Sequence, residues 1–344
     1  MNRPTIKTVA AEAGVSTATV SYVLAGRTRG QGSGISNETS RRVHEAAVRL
    51  GYRANQAARA IRTGRSNLMM LSLTMLSDPW SLSVSRAVGG AVASAGITPM
   101  ILADTDWRLA IPRQSADVIF IDDAGRPGDA ELLAELSRTN TLVVFSETLE
   151  PDGYDVIRSL SGSSLDAAMD HLTAEHTRVA CLTPAGSLRT PAPIRYQAYL
   201  DGLERAGQPF RPELVATFDG DELNAYQAAV ELLSSPEPPT AIYATSDFAA
   251  IAAIHAAQRL RLAVPDDVAV VGVGNTIQGE AMAPSLTSTG PVGFFSGLAD
   301  FLVERAQDPD SPPRILEFPW QLLLRDSTTH HPQDLLYPER EVMK

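Results

Sequence analysis

The sequence predicts an α/β protein built from a small N-terminal helix-turn-helix head and a larger core of parallel sheets flanked by helices. Three observations carry that prediction. Apolar residues near the N-terminus recur at helical spacing in short, capped runs. From Asn67 onward, short apolar strands alternate with helical patterns. Charge also changes sign between the two parts: residues 1–66 hold eleven Lys/Arg against Glu12, Glu38 and Glu45, a net of +8, so with the whole chain at −11 the remainder carries −19.

In the head, Ile6, Val9, Ala10 and Ala13 fall at i, i+3, i+4 and i+7, one buried stripe of a short helix that Gly14 ends. Ser16 is a good N-cap for a second helix burying Val20, Val23 and Leu24, with Thr17, Ala18, Ser21 and Tyr22 left on the opposite face. Two helices joined through a glycine turn make a helix-turn-helix, whose second helix reads the major groove with its N-terminal residues. Ser36 caps a third helix, where Val43, Ala46, Ala47 and Leu50 repeat the spacing and close a three-helix core. The basic head supplies a sequence-independent pull on DNA phosphates, and the acidic remainder repels DNA from the wrong face.

Between the second and third helices, residues 26–34 form a Gly-rich, weakly basic segment. It is either a surface insertion or a place where Arg27 and Arg29 meet phosphate. Residues 55–64 read as a short helical run closed by Gly64, marginal in water alone and expected to order on binding.

The core begins with the strand-like run 68–73 and a helix over Val84 to Ala95. Apolar runs follow at 101–102, 118–121 and 142–145. The alternation resumes at 179–182, with helices at 195–206, 223–233 and 248–259 between strands at 215–218, 241–244 and 268–273. That is enough for two open sheets, whose ligands would sit outside the carboxyl ends of the strands.

The run Val9-Ala10, Ala13-Gly14-Val15-Ser16, Thr19-Val20-Ser21, Val23-Leu24 and Gly26, followed by Arg41, Val43, Leu50-Gly51-Tyr52 and Asn55, resembles the lactose/galactose repressor (LacI/GalR-type) family. The resemblance extends over residues 5 to 328. It implies a dimeric transcription regulator, a repressor or occasionally an activator. Its two-lobed, periplasmic-binding-protein-like core would move the DNA heads when a small molecule, such as a sugar or a derivative, binds between the lobes. It also implies a head at 1–53, a hinge helix and linker at 54–66, a core at 67–330 with chain crossings near 157, 290 and 320, and a tail at 331–344.

Carried onto this chain, the DNA-contacting candidates are Thr5, Ser16, Thr17, Ala18, Thr19, Ser21, Tyr22 and Asn55, with Ala58 and Ile61 as the hinge positions that enter the minor groove. Thr17, Ala18 and Tyr22 are the base-facing set. Relatives often have Arg at Tyr22 and Leu at the wedge, so the half-site and wedge geometry differ here; alternatively, Tyr22 packs on its own domain. The effector candidates are Trp80 as a stacking wall, Arg195 as a clamp on ligand oxygens, Asp247 as an acceptor from ligand hydroxyls, and Asn275 as a polar contact. Arg195 and Asp247 are expected on opposite sides of the cleft, forming a polyol or nucleobase site or else an interlobe salt bridge.

Several motifs of that family are altered. Leu160-Ser161 stands for Asp-Asn, Gly272-Val273-Gly274-Asn275 for Gly-Phe-Asp-Asp, and Ser146-Glu147 for Asp-Arg, while the stretch between Thr105 and Ala116 is abbreviated. A divergent ligand, or loss of ligand control, follows from these changes.

Other chemistry finds little support. The single cysteine, Cys181, excludes an internal disulfide framework and reads as core filler. His330-His331 lacks partners at metal-ligand spacing, Gly272 and Gly274 lack a dinucleotide-binding third glycine, and no catalytic triad has a local signature. The expectation is a non-enzyme without cofactor or metal, cytoplasmic and associated with the bacterial nucleoid, since no export signal or membrane-length apolar run is present. A dimer is favoured over a tetramer because Leu335 and Leu336 sit in no sustained heptad. The alternative, a sugar-binding, sugar-processing or transport protein on the same core, would not carry the basic head.

Overall fold

A computed structural model describes residues 4–24, 35–52, 64–188 and 194–329, with the side chains of residues 159 and 160 excepted. The hinge candidates Asn55, Ala58 and Ile61, the segment holding Arg27 and Arg29, and the tail with His330, His331, Leu335 and Leu336 lie outside the described residues. The chain divides into two compact units, Met1–Ser66 and Asn67–Lys344.

The first unit holds α1 (Ile6–Ala13), α2 (Thr17–Leu24) and α3 (Asn37–Leu50). Each start is fixed by a hydroxyl that satisfies an otherwise unpaired backbone N–H. Thr5 and Thr8 form a reciprocal capping box, Ser16 Oγ accepts from Thr19 N–H at 3.1 Å, and Ser36 Oγ accepts from Thr39 N–H at 3.1 Å. Gly14 and Gly51, both at φ 63°, end α1 and α3 in the left-handed region. Val9, Ala10, Ala13, Val20, Val23, Val43, Ala46 and Ala47 form the core, with Leu24 and Leu50 packed at its margin.

In the second unit, β1 (Leu68–Leu73), α4 (Pro79–Ala95), β2 (Thr98–Ala103), the short α5 (Trp107–Ala110), β3 (Val118–Ile121), α6 (Asp129–Leu136), β4 (Leu142–Phe145) and β5 (Asp155–Leu160) come first. They are followed by α7 (Gly162–Glu175), β6 (Val179–Pro184), α8 (Ile194–Arg205), β7 (Val215–Phe218), α9 (Glu222–Leu233), β8 (Ala241–Ala244), α10 (Asp247–Leu260) and β9 (Ala269–Val273). The last elements are α11 (Ile277–Ala281), β10 (Thr287–Pro291), α12 (Phe294–Gln307) and β11 (Ile315–Leu323). The abbreviated stretch after Thr105 folds as α5 and a single 3-10 turn, Ile111–Arg113, in place of a full helix. It is anchored where the buried Trp107 donates its indole N–H to Asp123 O at 2.7 Å.

The strands run β2-β1-β3-β4-β5-β11-β10-β9-β8-β6-β7. Every pairing is parallel except β10 with β11. Each half repeats one doubly wound order, with its first strand between its second and third, so each has a topological switch point. The near-continuous apolar strands, such as Val118–Ile121 and Ala241–Ala244, are fully buried because helices cover both faces. The chain passes between lobes after β5, between β10 and α12, and within β11. Ile315–Pro319 of that strand pairs with β5, and Trp320–Leu323 pairs with β10.

The two helices on one face of the second lobe meet at a glycine. A Cβ on Gly202 of α8 would lie 2.5 Å from Met169 Cβ on α7, an atom fixed to the helix backbone. Replacing glycine by alanine inside a helix ordinarily stabilises by about 0.5–1 kcal/mol. Here overpacking reverses the sign, and Gly202→Ala should cost about 1–3 kcal/mol, read as a lower urea midpoint. An unchanged or higher midpoint would show that α7 and α8 can separate freely.

Candidate functional site

In the head, the elements that bury one face of α2 also determine what the other face offers. Burial of Val20 and Val23 turns Thr17, Ala18 and Tyr22 outward, with Tyr22 51% exposed, so about half of its surface is open. Thr19 and Ser21 are half-buried beside them. The hydroxyls of Thr5, Ser16 and Thr19 already take part in caps, with Ser16 Oγ and Thr19 Oγ1 2.9 Å apart, yet Thr5 and Ser16 remain exposed. A major groove admits an α-helix, and this outward helix face belongs to a basic domain.

In the core, a cavity of about 180 Å³ opens at the carboxyl ends of the strands of both lobes. The first lobe contributes Thr74, Asp78 and Trp80 after β1, Asp122 after β3 and Phe145 at the end of β4; the second contributes Arg195 on α8, Ser246 and Asp247 after β8, and Thr276 after β9. Trp320, at the crossing within β11, completes the wall. The loops come from both switch points, where such folds hold ligands.

The charged groups are held individually. Asp78 caps α4 by accepting from Trp80 N–H at 2.8 Å; burial pushes its carboxyl up, against the pull of that N–H and of Arg195. Asp122 Oδ2 accepts from Thr74 N–H at 2.7 Å and Thr74 Oγ1 at 3.2 Å, whereas Oδ1 is buried with no hydrogen-bond partner. Burial outweighs the Thr74 bonds and pushes the Asp122 carboxyl up to about 7. Arg195 donates from Nη1 to Thr245 O at 3.0 Å and lies 5.6 Å from the centre of the Trp320 ring.

Residues 5–55 match the family of bacterial regulatory proteins, lacI family, and residues 169–328 match the periplasmic binding protein-like domain. The chain belongs to the LacI family. This LacI-family chain is 28% identical over 332 residues to the HTH-type transcriptional repressor PurR of Yersinia pestis bv. Antiqua (strain Antiqua), covering 91% of this chain and 95% of that protein. Its fold is shared with the Lac repressor bound to ONPG in the repressed state, at TM-score 0.70 and 21% identity over 95% of this chain and all of that one. A LacI-family regulator from Enterococcus faecium with bound ribose aligns at TM-score 0.62 and 19% identity over 76% of this chain and 98% of that chain.

Three effector candidates need correction or refinement in this LacI-family core. Arg195 and Asp247 do not face each other across the cleft. Both belong to the second lobe, because α8 and α10 follow parallel neighbours β6 and β8 and start at the same sheet edge. Among the described residues no Arg195–Asp247 ion pair is formed; each is held by other partners. Asp247 borders the cavity but is 1% exposed, with Oδ1 accepting from Ser288 Oγ at 2.6 Å and Oδ2 from Thr276 N–H and Oγ1 at 2.7 and 2.8 Å. Burial raises its carboxyl against these three donors. Asn275, at φ 50°, donates to Pro291 O at 3.2 Å and accepts from Arg325 Nη2 at 2.7 Å, so its amide braces the strand ends outside the cavity wall.

Trp80 lines the cavity, with its ring centre 5.4 Å from that of Phe145 and 5.8 Å from that of Phe294. Sequence reasoning missed Asp78, Asp122, Phe145 and Trp320. The signals were present for two of them: Asp78-Pro79 is a cap followed by proline at the first helical position, and Asp122 is the first polar residue after an apolar strand. Among the described residues no group of three or more His, Cys, Asp or Glu side chains is placed to hold a metal ion.

Two predictions follow from these carboxylates. Because the Asp122 carboxyl is raised in the fold to about 7, the folded protein holds this proton more tightly than the unfolded chain. Its stabilising effect is present at acid pH and is lost as pH rises through about 4 to 7. Asp122→Asn removes that loss, so the variant's Tm should gain on the parent by a few degrees between about pH 4 and about pH 8. A Tm difference independent of pH would refute the assignment. Asp247→Ala strands Ser288 and Thr276 inside the protein and should cost about 2–4 kcal/mol by urea unfolding. A variant of parental stability with an altered ligand response would return Asp247 to the role of a ligand acceptor.

Proposed function

We propose that this protein is a sequence-specific DNA-binding transcription regulator, a repressor, that binds a near-palindromic operator as a dimer and is controlled by a small molecule in the interlobe cleft. The observation that carries the reading is the outward face of Thr17, Ala18 and Tyr22 on α2, within a head of net charge +8. Phosphate attraction gives affinity, and that face gives sequence. One recognition helix spans only a few base pairs, so a second copy related by two-fold symmetry supplies the other half-site. In the core, edge strand β2 leaves Met100 and Ile101 45% and 42% exposed, and Leu82 of α4 is 46% exposed, apolar side chains open to such a second copy.

The hinge reading of Asn55, Ala58 and Ile61 belongs to the same proposal, with the side chain of Ile61 as the minor-groove wedge. Working on chromosomal DNA, the protein acts in the cytoplasm, as a regulator and not as an enzyme. The ligand acts only through a difference in affinity between lobe arrangements, since equal affinity for both shifts neither.

Selection of bound duplexes from a random pool, repeated across salt concentrations, tests this directly. A near-palindromic site is expected, and Tyr22→Ala should cost about 1–3 kcal/mol of specific affinity while sparing non-specific binding. Enrichment of a single asymmetric half-site would remove the dimer, and enrichment of no sequence would remove specific recognition.

A further inference from the structure

Each base pair shows its own pattern of donors, acceptors and methyl groups in the major groove, and side chains differ in what they read there. Guanine is read by the N–H groups of Arg or Lys, adenine by the amide of Asn or Gln, and cytosine by a carboxylate. Helix α2, Thr17-Ala18-Thr19-Val20-Ser21-Tyr22-Val23-Leu24, contains none of these residues. In the three helices of the head the Lys and Arg side chains, Lys7, Arg41, Arg42 and Arg49, all stand on α1 and α3. Ser16 Oγ and Thr19 Oγ1 are tied to the cap of α2. The hydroxyls of Thr17, Ser21 and Tyr22 remain, but a single hydroxyl bonds to any of the four pairs and separates them poorly. What α2 offers outward is carbon: the methyl groups of Thr17 and Ala18 and the ring of the half-exposed Tyr22. Ala18 and Tyr22 stand at i and i+4, where helical side chains meet on one face. Carbon surface of this kind has one specific counterpart in the major groove, the C5 methyl group of thymine.

We propose that α2 selects thymine through its C5 methyl group, received against Tyr22 and Ala18, so that the A·T pairs facing α2 in each half-site are chosen by carbon contact and not by paired hydrogen bonds. The proposal rests on α2 being the recognition helix and adds the chemical group that it reads. The positive charge of the head holds the phosphates without regard to sequence, and the methyl contact supplies the preference. Loss of one such methyl group lowers affinity about fourfold, the worth of one buried carbon. The methyl group of 5-methylcytosine occupies the same place in the groove, so methylation of a cytosine standing at one of these pairs strengthens binding.

The test uses the full-length protein and two random-sequence duplex pools, one containing thymine and the other uracil, which differs from thymine only in lacking the methyl group. Selection from the thymine pool, run in parallel with Tyr22→Ala, marks the pairs whose preference depends on the ring, and thymine is expected at them. On the selected duplex, a single change of thymine to uracil at a marked pair should weaken binding about fourfold, and a cytosine placed there should gain affinity on C5 methylation. Tyr22→Phe, which keeps the ring and removes the hydroxyl, should preserve the preference for thymine over uracil, and Tyr22→Ala should remove it. Parental, salt-dependent binding to non-specific DNA shows that each variant is folded. Loss of the preference in Tyr22→Phe would assign it to the hydroxyl and refute the methyl contact. Equal binding of the thymine and uracil duplexes, guanine or unmethylated cytosine as the preferred base at the marked pairs, or no pair marked by Tyr22→Ala would each refute it while leaving sequence-specific binding in place. If neither pool yields an enriched sequence, the recognition-helix reading fails and the proposal fails with it.

Discussion

The core depends on one strand that changes partners. Between Ile315 and Pro319, β11 runs parallel to β5, and from Trp320 to Leu323 it runs antiparallel to β10, so a single strand belongs to both lobes. The change occurs at Pro319, which has no N–H to give to either ladder. The start of β11 is fixed by Asp155 of β5: one carboxylate oxygen accepts Arg314 N–H at 3.0 Å, and the other lies 2.7 Å from Arg305 Nε of α12, with both side chains buried. The next residue, Trp320, faces the cleft. The place where the lobes are covalently and hydrogen-bonded together is therefore also a wall of the cavity between them.

A second constraint acts on the far wall. Asp247 holds Ser288 of β10 and Thr276 ahead of α11, and Gly272 of β9 is glycine because a Cβ there would run into that carboxylate. Gly290 is fixed for a related reason: its Cβ would lie 2.7 Å from the backbone carbon of Gly274. The ends of β8, β9 and β10 thus approach more closely than ordinary side chains allow. The result is a rigid rim on the second lobe, from which Ile277 N–H reaches Ser83 Oγ of the first lobe at 3.3 Å. Closely packed lobes joined at three chain crossings suit a hinge, because a ligand's differential contacts are then expressed as lobe movement and are not absorbed locally.

Much of the fold was legible because its signals are local. Capping hydroxyls at Ser16 and Ser36, glycines at the ends of α1 and α3, and the 3.6-residue apolar spacing specify the head without reference to anything distant. The alternation of apolar runs and helices announced two parallel sheets, and the abbreviated stretch near Trp107 was visible as missing length. The cleft was less legible because its residues are joined across the sequence. Nothing local to Asp247 says that Ser288, 41 residues away, will fill its Oδ1. Likewise nothing local to Asp122 says that Thr74, 48 residues earlier, will take one oxygen and leave the other. The family resemblance puts Arg195 and Asp247 on opposite sides of the cleft, whereas parallel neighbours β6 and β8 deliver both to one edge.

That distinction between saturated and open groups decides what the cleft can sense. A carboxylate whose acceptor sites are filled by the protein contributes shape and rigidity, and its charge is already compensated by fixed dipoles. A carboxylate with a buried oxygen left open carries a desolvation cost that a ligand can relieve, and only in the lobe arrangement that brings the ligand to it. Asp247 is of the first kind and Asp122 of the second. They sit on different lobes, after β3 and after β8, and line the same cavity. A molecule held by groups from both lobes favours the arrangement in which it meets both. A shift in DNA affinity requires a ligand with that kind of preference.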